Sequence, residues 1–235
     1  LPYFQDKPVN QITAKDIRNW QNVQIAAGYS DAYLDRMQNM VTTLFNYAVN
    51  YYNLPLNPCN KAGHMGKRTR SMQFWTLEQF NTVILHVTDI SAKTALLLLF
   101  YSGMRFGEML ALTYADFDFE AGTISITKSL QHRAKAGDIV GPPKTDNGIR
   151  TISMPQTIMS TIRDYTSRIY GISGSDRVFT FTKSLISGNI KRGATAAGVP
   201  IIRIHDLRHS HVSLLIDMGF SPHLIAERIG DTVQM

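Results

Sequence analysis

The sequence predicts a mainly α fold with one small antiparallel β-sheet, arranged in two parts. Three observations predict it. Apolar residues recur at the 3.6-residue period along most of the chain, several times behind a capping residue. Two runs rich in β-branched residues lie on either side of an Asp-Asn-Gly turn. A basic stretch containing two glycines interrupts the periodicity after residue 60.

Residues 10–52 read as helical. Thr13 and Asp16 suit a cap with an acid in the first turn. Ile17, Trp20 and Gln21 follow at helical spacing, and Gly28 closes the segment. Ser30 is an N-cap candidate for a longer helix with the apolar set Tyr33, Leu34, Met37, Met40, Val41, Leu44, Phe45, Ala48 and Tyr52. Its aromatic and Met content reads first as core. Pro55 and Pro58 then stop helix formation. Residues 61–74, with Lys61, Gly63, Gly66, Lys67, Arg68 and Arg70, read as a basic interdomain linker. By itself that stretch is either a solvated loop or a strap for a polyanion.

The second part opens with Thr76-Leu77-Glu78-Gln79, a capping box ahead of Phe80, Val83 and Ile84. A second helix covers Ser91 to Tyr101 and breaks at Gly103. A third begins near Arg105. Thr123 to Leu130 and Ile149 to Met154 read as strands, with the tight turn Asp146-Asn147-Gly148 between them. Helices follow over Gln156–Tyr170, Lys183–Ala197 and Asp206–Met218. Ser221-Pro222 then opens a last one to Arg228.

The chain has 235 residues, enough for two modest cores, and 44% of them are hydrophobic. No apolar run reaches the length of a membrane span, so no membrane partner is expected. Leu1-Pro2-Tyr3-Phe4 lacks the regions of a signal peptide and the lone cysteine is Cys59, so the expectation is a fragment of a cytoplasmic protein. Net charge is +6, with an isoelectric point near 9.4. Residues 1–70 hold eight Lys/Arg against four Asp/Glu, so most of the excess lies there. Such a balance suits nucleic acid.

Three segments carry chemistry. In Ser102-Gly103-Met104-Arg105-Phe106-Gly107-Glu108, Arg105 starts a helix and Glu108 lies three residues on. The pair is either an ordinary surface contact or a carboxylate fixing a guanidinium fork for phosphate. In Pro142-Pro143-Lys144-Thr145, Lys144 is expected at a hairpin tip, as a solvated charge or a proton donor. In His205-Asp206-Leu207-Arg208-His209-Ser210-His211, His205 and Arg208 face the same way on a helix anchored by Leu207, Leu214, Leu215 and Met218. Imidazole beside guanidinium suits a phosphoryl group. His205 and His209 also have the spacing of a helical zinc pair, but no third ligand is evident and no metal is expected.

The order R-x-G-E, hairpin Lys, H-x-L-R-H resembles the catalytic domain of tyrosine recombinases of the phage integrase type. His205–Ser210 and Leu224–Gly230 are most similar to integrases of bacterial integrative and conjugative elements. The resemblance implies a two-domain DNA clamp: residues 1–60 a helical core-binding domain, 61–74 the linker, 75–235 the catalytic domain. It implies that Arg105 and Arg208 clamp the scissile phosphate. Lys144 would protonate the departing 5′ oxygen, His205 assist, and Glu108 hold the first arginine in place. Lys61, Lys67, Arg68 and Arg70 would lie on DNA. A tyrosine attacks phosphorus in this family, giving a 3′-phosphotyrosyl bond without cofactor. The implied partners are double-stranded DNA and further copies of the protein, four in the full-length family.

Two departures stand out. Asp231 follows Gly230 where the family usually has His or Trp, and a carboxylate there repels phosphate unless it is protonated or bonded to a donor. None of the ten tyrosines follows Arg208; the last is Tyr170. The expectation is a chain cut before its nucleophile, able to bind DNA but not to cleave it. Two rivals stay open. Leu214 to Gly230 resembles the helix-turn-helix of a non-catalytic regulator, and a type IB topoisomerase shares the phosphate chemistry.

Overall fold

The computed structural model describes residues 2–67, 72–133, 137–143 and 146–231. The chain divides into two compact units, Leu1–Ser71 and Met72–Met235, each with its own core.

The first unit holds α1 (Ala14–Ala26), α2 (Asp31–Tyr51) and the short α3 (Pro58–Ala62). Thr13 and Asp16 form the expected capping box, with Thr13 N donating to Asp16 Oδ2 at 2.7 Å and Asp16 N to Thr13 Oγ1 at 3.3 Å. α1 buries Ile17, Trp20 and Gln21. α2 buries Leu34, Gln38, Val41, Phe45 and Ala48. Tyr33, Met40, Leu44 and Tyr52 of the apolar set expected in the core are exposed. That set wraps too far around the helix for a unit of this size to cover. Gln38, which the apolar pattern passed over, is buried because its amide oxygen accepts from Gln21 Nε2 at 2.9 Å.

Pro58 starts a helix instead of stopping one. It sits in the first turn of α3, where a missing N–H costs nothing, and Asn57 Oδ1 caps Cys59 N at 2.9 Å. Residues 61–67 are not a free linker either. Ala62 and Met65 belong to the first core, and Gly66 lies against α2 so closely that a Cβ would come within 2.6 Å of Asp35 N.

The second unit runs α4 (Leu77–Leu85), α5 (Ile90–Ser102), α6 (Phe106–Ala111), β1 (Phe117–Asp118), β2 (Thr123–Ile126), β3 (Ser129–Arg133), β4 (Gly137–Gly141), β5 (Arg150–Ser153), α7 (Gln156–Thr166), α8 (Lys183–Ala197), α9 (Asp206–Asp217) and α10 (Pro222–Ile229). It is mainly helical with little sheet, the expected class. Thr76 and Gln79 make the capping box of α4. α5 is buried nearly all round and packs on α4, α7, α8 and α9. Phe80 of α4 stacks on Phe100 of α5, with ring centroids 3.8 Å apart.

The strands differ from expectation in partner. Thr123 to Leu130 is not one strand: β2 joins β1 and β5 in an antiparallel sheet of order β1-β2-β5, and among the described residues β3 pairs with β4 alone. The chain changes sheets at Lys128, whose Nζ pairs with Asp116 at 2.6 Å. Alternation shows that a residue is in a strand but not which neighbour it has. Asp146–Gly148 forms a 3-10 turn leading into β5, not the tip of a hairpin. Among the described residues no helix is long and apolar enough to cross a membrane.

α5 ends at Gly103, in the left-handed region at φ 65°. A side chain there would strike the His211 ring of α9 and come 3.2 Å from Ile229 Cγ2 of α10. Gly103→Ala is expected to cost about 2 kcal/mol or more, from the strained φ and the clash together. Urea unfolding checks it, and an unchanged midpoint would show that the three helices can part there freely.

Candidate functional site

The end of α5, the start of α6, the start of β5, the first turn of α9 and the end of α10 meet at one place. Arg105 is the N-cap residue of α6, extended at ψ 148°. Glu108 turns back on it: Oε2 accepts from Arg105 N at 2.9 Å, and Oε1 from Arg105 Nη1 at 2.9 Å. Arginine has no acceptor with which to return a cap bond, so the bonding runs one way. Glu108 is only 1% exposed, far from the surface pair that i,i+3 spacing usually denotes. Burial pushes its carboxyl up, but the Arg150 guanidinium and then Arg105 outweigh this and hold it below its ordinary value.

Arg208, in the first turn of α9, is 6% exposed. Nη1 donates to the Gly103 carbonyl at 2.9 Å and to the Ile229 carbonyl at 2.7 Å. Both carbonyls lie at helix C-termini, where a cation is favoured. Nη2 donates to Asp231 Oδ2 at 3.1 Å. Arg105 Nη2 lies 3.9 Å from that same oxygen and donates to the Gly230 carbonyl at 3.3 Å. Two guanidiniums thus converge on one carboxylate oxygen, which answers the repulsion raised for Asp231. The site opens outward, with Arg105 25% and Asp231 54% exposed. Burial, then the neighbouring charge of Arg105, pushes the Arg208 guanidinium below its ordinary value.

His205 directly precedes α9 and is exposed, its ring edge-to-face with His209 at 5.3 Å between centroids. Partial desolvation, then the charges of His209 and Arg208, hold it below the ordinary imidazole value. It is therefore mainly neutral at pH 7. Among the described residues no group of three His, Cys, Asp or Glu could hold a metal. Asp206 is buried and accepts from Arg203 N at 2.8 Å, fixing the start of α9. Of the expected anchors, Leu207 and Leu215 are buried, Leu214 is partly so, and Met218 is exposed. The rest of the buried face is polar: Asp206, Arg208, Ser210 and His211.

Arg105, Glu108, Arg208 and Asp231 come together, with His205 at the side. Lys144, Arg68 and Arg70 lie outside the described residues. Among the described residues β3 pairs with β4, and in sequence Lys144 comes after β4 and before β5. Lys61 and Lys67 are exposed residues of the first unit.

Sequence reasoning missed three residues. Arg150, 7% exposed, donates from Nη2 to Glu108 Oε2 at 2.9 Å, from Nη1 to the Gly148 carbonyl at 2.9 Å and from Nε to the Arg228 carbonyl at 2.8 Å. Arg228 donates to His211 Nε2 at 3.1 Å and to the carbonyls of Tyr101 and Ser153. His211 is buried, and burial, then the Arg228 charge, push it down to about 3. Since Nε2 accepts, its proton is assigned to Nδ1. An Arg opening a short strand or ending a helix looks exposed in sequence, and nothing local marked these.

The family model described as phage integrase family matches residues 71–232. The ICEBs1 integrase of Bacillus subtilis (strain 168) is 28% identical over 243 residues, covering 97% of this chain and 66% of that protein. A tyrosine recombinase XerC-like protein of Caldanaerobacter subterraneus is 24% identical, over 94% of this chain and 65% of that one. The chain therefore spans about two thirds of the length of these curated relatives. Among solved structures, the Tn1549 transposon integrase in complex with transposon right end DNA superposes with a TM-score of 0.81 at 18% identity, over 98% of this chain and 82% of that one.

The buried His211 makes stability pH-dependent. Its folded pKa lies below the unfolded one, so the unfolded chain binds more protons between about pH 6.5 and 3. Stability is full above that window and falls as pH drops through it, by roughly 5 kcal/mol at most. Urea unfolding should give about 2 kcal/mol less at pH 5 than at pH 7.5. His211→Gln, which keeps an acceptor for Arg228 but does not titrate, should flatten that slope; an equal slope in both proteins would count against the assignment.

Proposed function

The chain belongs to the phage integrase family, and from that premise we propose that it is the DNA-binding, phosphate-clamping part of a mobile-element recombinase. Such an enzyme cuts and rejoins DNA at specific sites through a 3′-phosphotyrosyl intermediate. The observation that carries this reading is the convergence of Arg105 and Arg208 on one Asp231 oxygen. Where a carboxylate oxygen now accepts, a non-bridging phosphate oxygen can accept instead. Four guanidiniums (Arg105, Arg150, Arg208, Arg228) against two carboxylates leave the site cationic, as a phosphoryl transition state requires.

In this reading Arg105 and Arg208 bind the two non-bridging oxygens of the scissile phosphate. A tyrosine hydroxyl attacks phosphorus and gives up its proton to His205 or water, the O–P bond to the 5′ oxygen breaks, and Lys144 supplies the proton to that oxygen. His205, held neutral, accepts or donates a hydrogen bond beside the phosphate. Glu108 keeps Arg105 in its rotamer. Asp231 is a built-in anion that keeps the two arginines together until DNA replaces it. Residues 1–60 serve as the core-binding domain and 75–235 as the catalytic domain. Lys61 and Lys67, exposed on the first unit, and Arg68 and Arg70 contact DNA phosphates. The working form is an oligomer on double-stranded DNA in the bacterial cytoplasm; the λ integrase has been solved as a tetramer bound to a Holliday junction.

In this reading the nucleophilic tyrosine is not among these 235 residues, since none follows Tyr170, and the expected behaviour is DNA binding without cleavage. Duplex affinity should fall steeply between 50 and 200 mM salt as counterions are released, by about tenfold or more for a few phosphate contacts. On nicked suicide DNA carrying the element's end, no covalent adduct should form with this chain, and one should form with any longer form of the protein that carries a tyrosine after Arg208. An adduct from the 235 residues would overturn the first expectation. No adduct from either protein, despite tight binding, would favour a non-catalytic DNA-binding regulator. Asp231→Asn removes the competing charge and should tighten duplex binding about threefold to tenfold, roughly the 0.7–1.4 kcal/mol of a modest charge contact; weaker binding would mean the carboxylate is needed in the bound state.

A further inference from the structure

We propose that Arg150 is a positioning residue that sets both phosphate-clamping arginines at once, without touching phosphate itself. The proposal rests on the reading of Arg105 and Arg208 as that clamp. Arg150 is shut away from solvent, and each of its three nitrogens is committed to a different element. Nη2 holds Glu108 of α6. Nη1 holds the Gly148 carbonyl, in the turn that leads into β5. Nε holds the Arg228 carbonyl, near the end of α10.

Each bond leads to the site. Glu108 Oε2 takes Arg150 Nη2 and Arg105 N together, and its Oε1 takes Arg105 Nη1, so the Glu108 rotamer is shared between the two arginines. Past Arg228, the chain gives the Ile229 carbonyl to Arg208, the Gly230 carbonyl to Arg105 and the Asp231 carboxylate to Arg208. Gly230 is pressed against Arg150: a Cβ there would lie 2.8 Å from Nη1, and its φ is 66°. The turn fastened through Gly148 follows Lys144 by four residues. A planar fork with donors pointing in fixed directions can span these three partners, and an ammonium at the same place cannot.

A merely structural ion pair would account for the burial but not for a coupling to Arg105, and a double-mutant cycle separates the two. The 235-residue chain is titrated with a 30-base-pair DNA duplex at fixed salt, as wild type, Arg105→Ala, Arg150→Lys and the double variant. Arg105→Ala should weaken binding about tenfold, the size of one lost charged contact. Arg150→Lys keeps the charge and should still weaken binding about threefold to tenfold, with cooperative thermal unfolding retained. The double variant should bind within about twofold of Arg105→Ala, because the two substitutions remove the same thing. Full affinity in Arg150→Lys, or two effects that multiply, would overturn the proposal while leaving the clamp standing. Unchanged affinity in Arg105→Ala would overturn the clamp reading and this proposal with it. Should Arg150→Lys fail to fold, Glu108→Gln cuts the same relay at its middle and must show the same lack of additivity with Arg105→Ala.

Discussion

Buried guanidinium needs acceptors on every side, and the second unit is arranged around meeting that need. Arg150 and Arg208 are withdrawn from water and Arg228 is partly so, and two carboxylates, Glu108 and Asp231, cannot serve them alone. Backbone carbonyls supply the remainder: Gly103 after α5, Ile229 at the end of α10, Arg228 one residue earlier, Gly148 before β5, and Tyr101 and Ser153. Charged hydrogen bonds of this kind are worth roughly 1.5–3 kcal/mol each. An unmatched buried charge would cost several kcal/mol. Two left-handed glycines at the site follow from this demand. Gly103 and Gly230 end their helices in a way that turns free carbonyls toward Arg208 and Arg105, in spaces that admit no Cβ.

The same arrangement gives the site its chemistry. A pocket that neutralised its arginines completely would have nothing to offer an anion. Here Glu108 is shared by two guanidiniums, and Asp231, the other carboxylate, sits at the open rim. The inner charge is balanced for folding and the outer charge is balanced only by a group that solvent, or a competing anion, can reach. Under the proposed function, stability and readiness for phosphate are met by different carboxylates. The neutral, buried His211 fits this division: it accepts from Arg228 without adding a charge of its own behind the clamp.

How much of this was legible in the sequence follows from the range of each signal. Caps and helices depend on residues three or four apart, so Thr13–Asp16, Thr76–Gln79 and the extent of α8 could be read directly. Arg105, Glu108, Asp231 and Arg208 could be picked out through motif order, and they lie together. What the sequence hid was partnership over distance. Arg150 and Glu108 are 42 positions apart and Arg150 and Arg228 are 78 apart, with no local period to connect them. The change of sheet at Lys128 and the exposed half of the α2 stripe failed to show for the same reason, since hydrophobic pattern records that a face is apolar but not whether another element exists to cover it.

One link ties the entrance of the second unit to its site. Trp75, fully buried, donates from its backbone N to Ser210 Oγ at 2.9 Å, and Ser210 Oγ donates to the Asp206 carbonyl at 2.9 Å. Its indole Nε1 donates to the Pro200 carbonyl at 2.8 Å. The first residues after the unit boundary are thus fastened to α9 on either side of Arg208, and to the segment that precedes His205. Since Asp206 is in turn held by Arg203 through three hydrogen bonds, the start of α9 is braced from two directions. The burial of four polar residues on that helix face, costly in isolation, is what makes the brace possible: an apolar face would pack as well but would fix neither the depth nor the rotation of the helix that aims Arg208 at the rim.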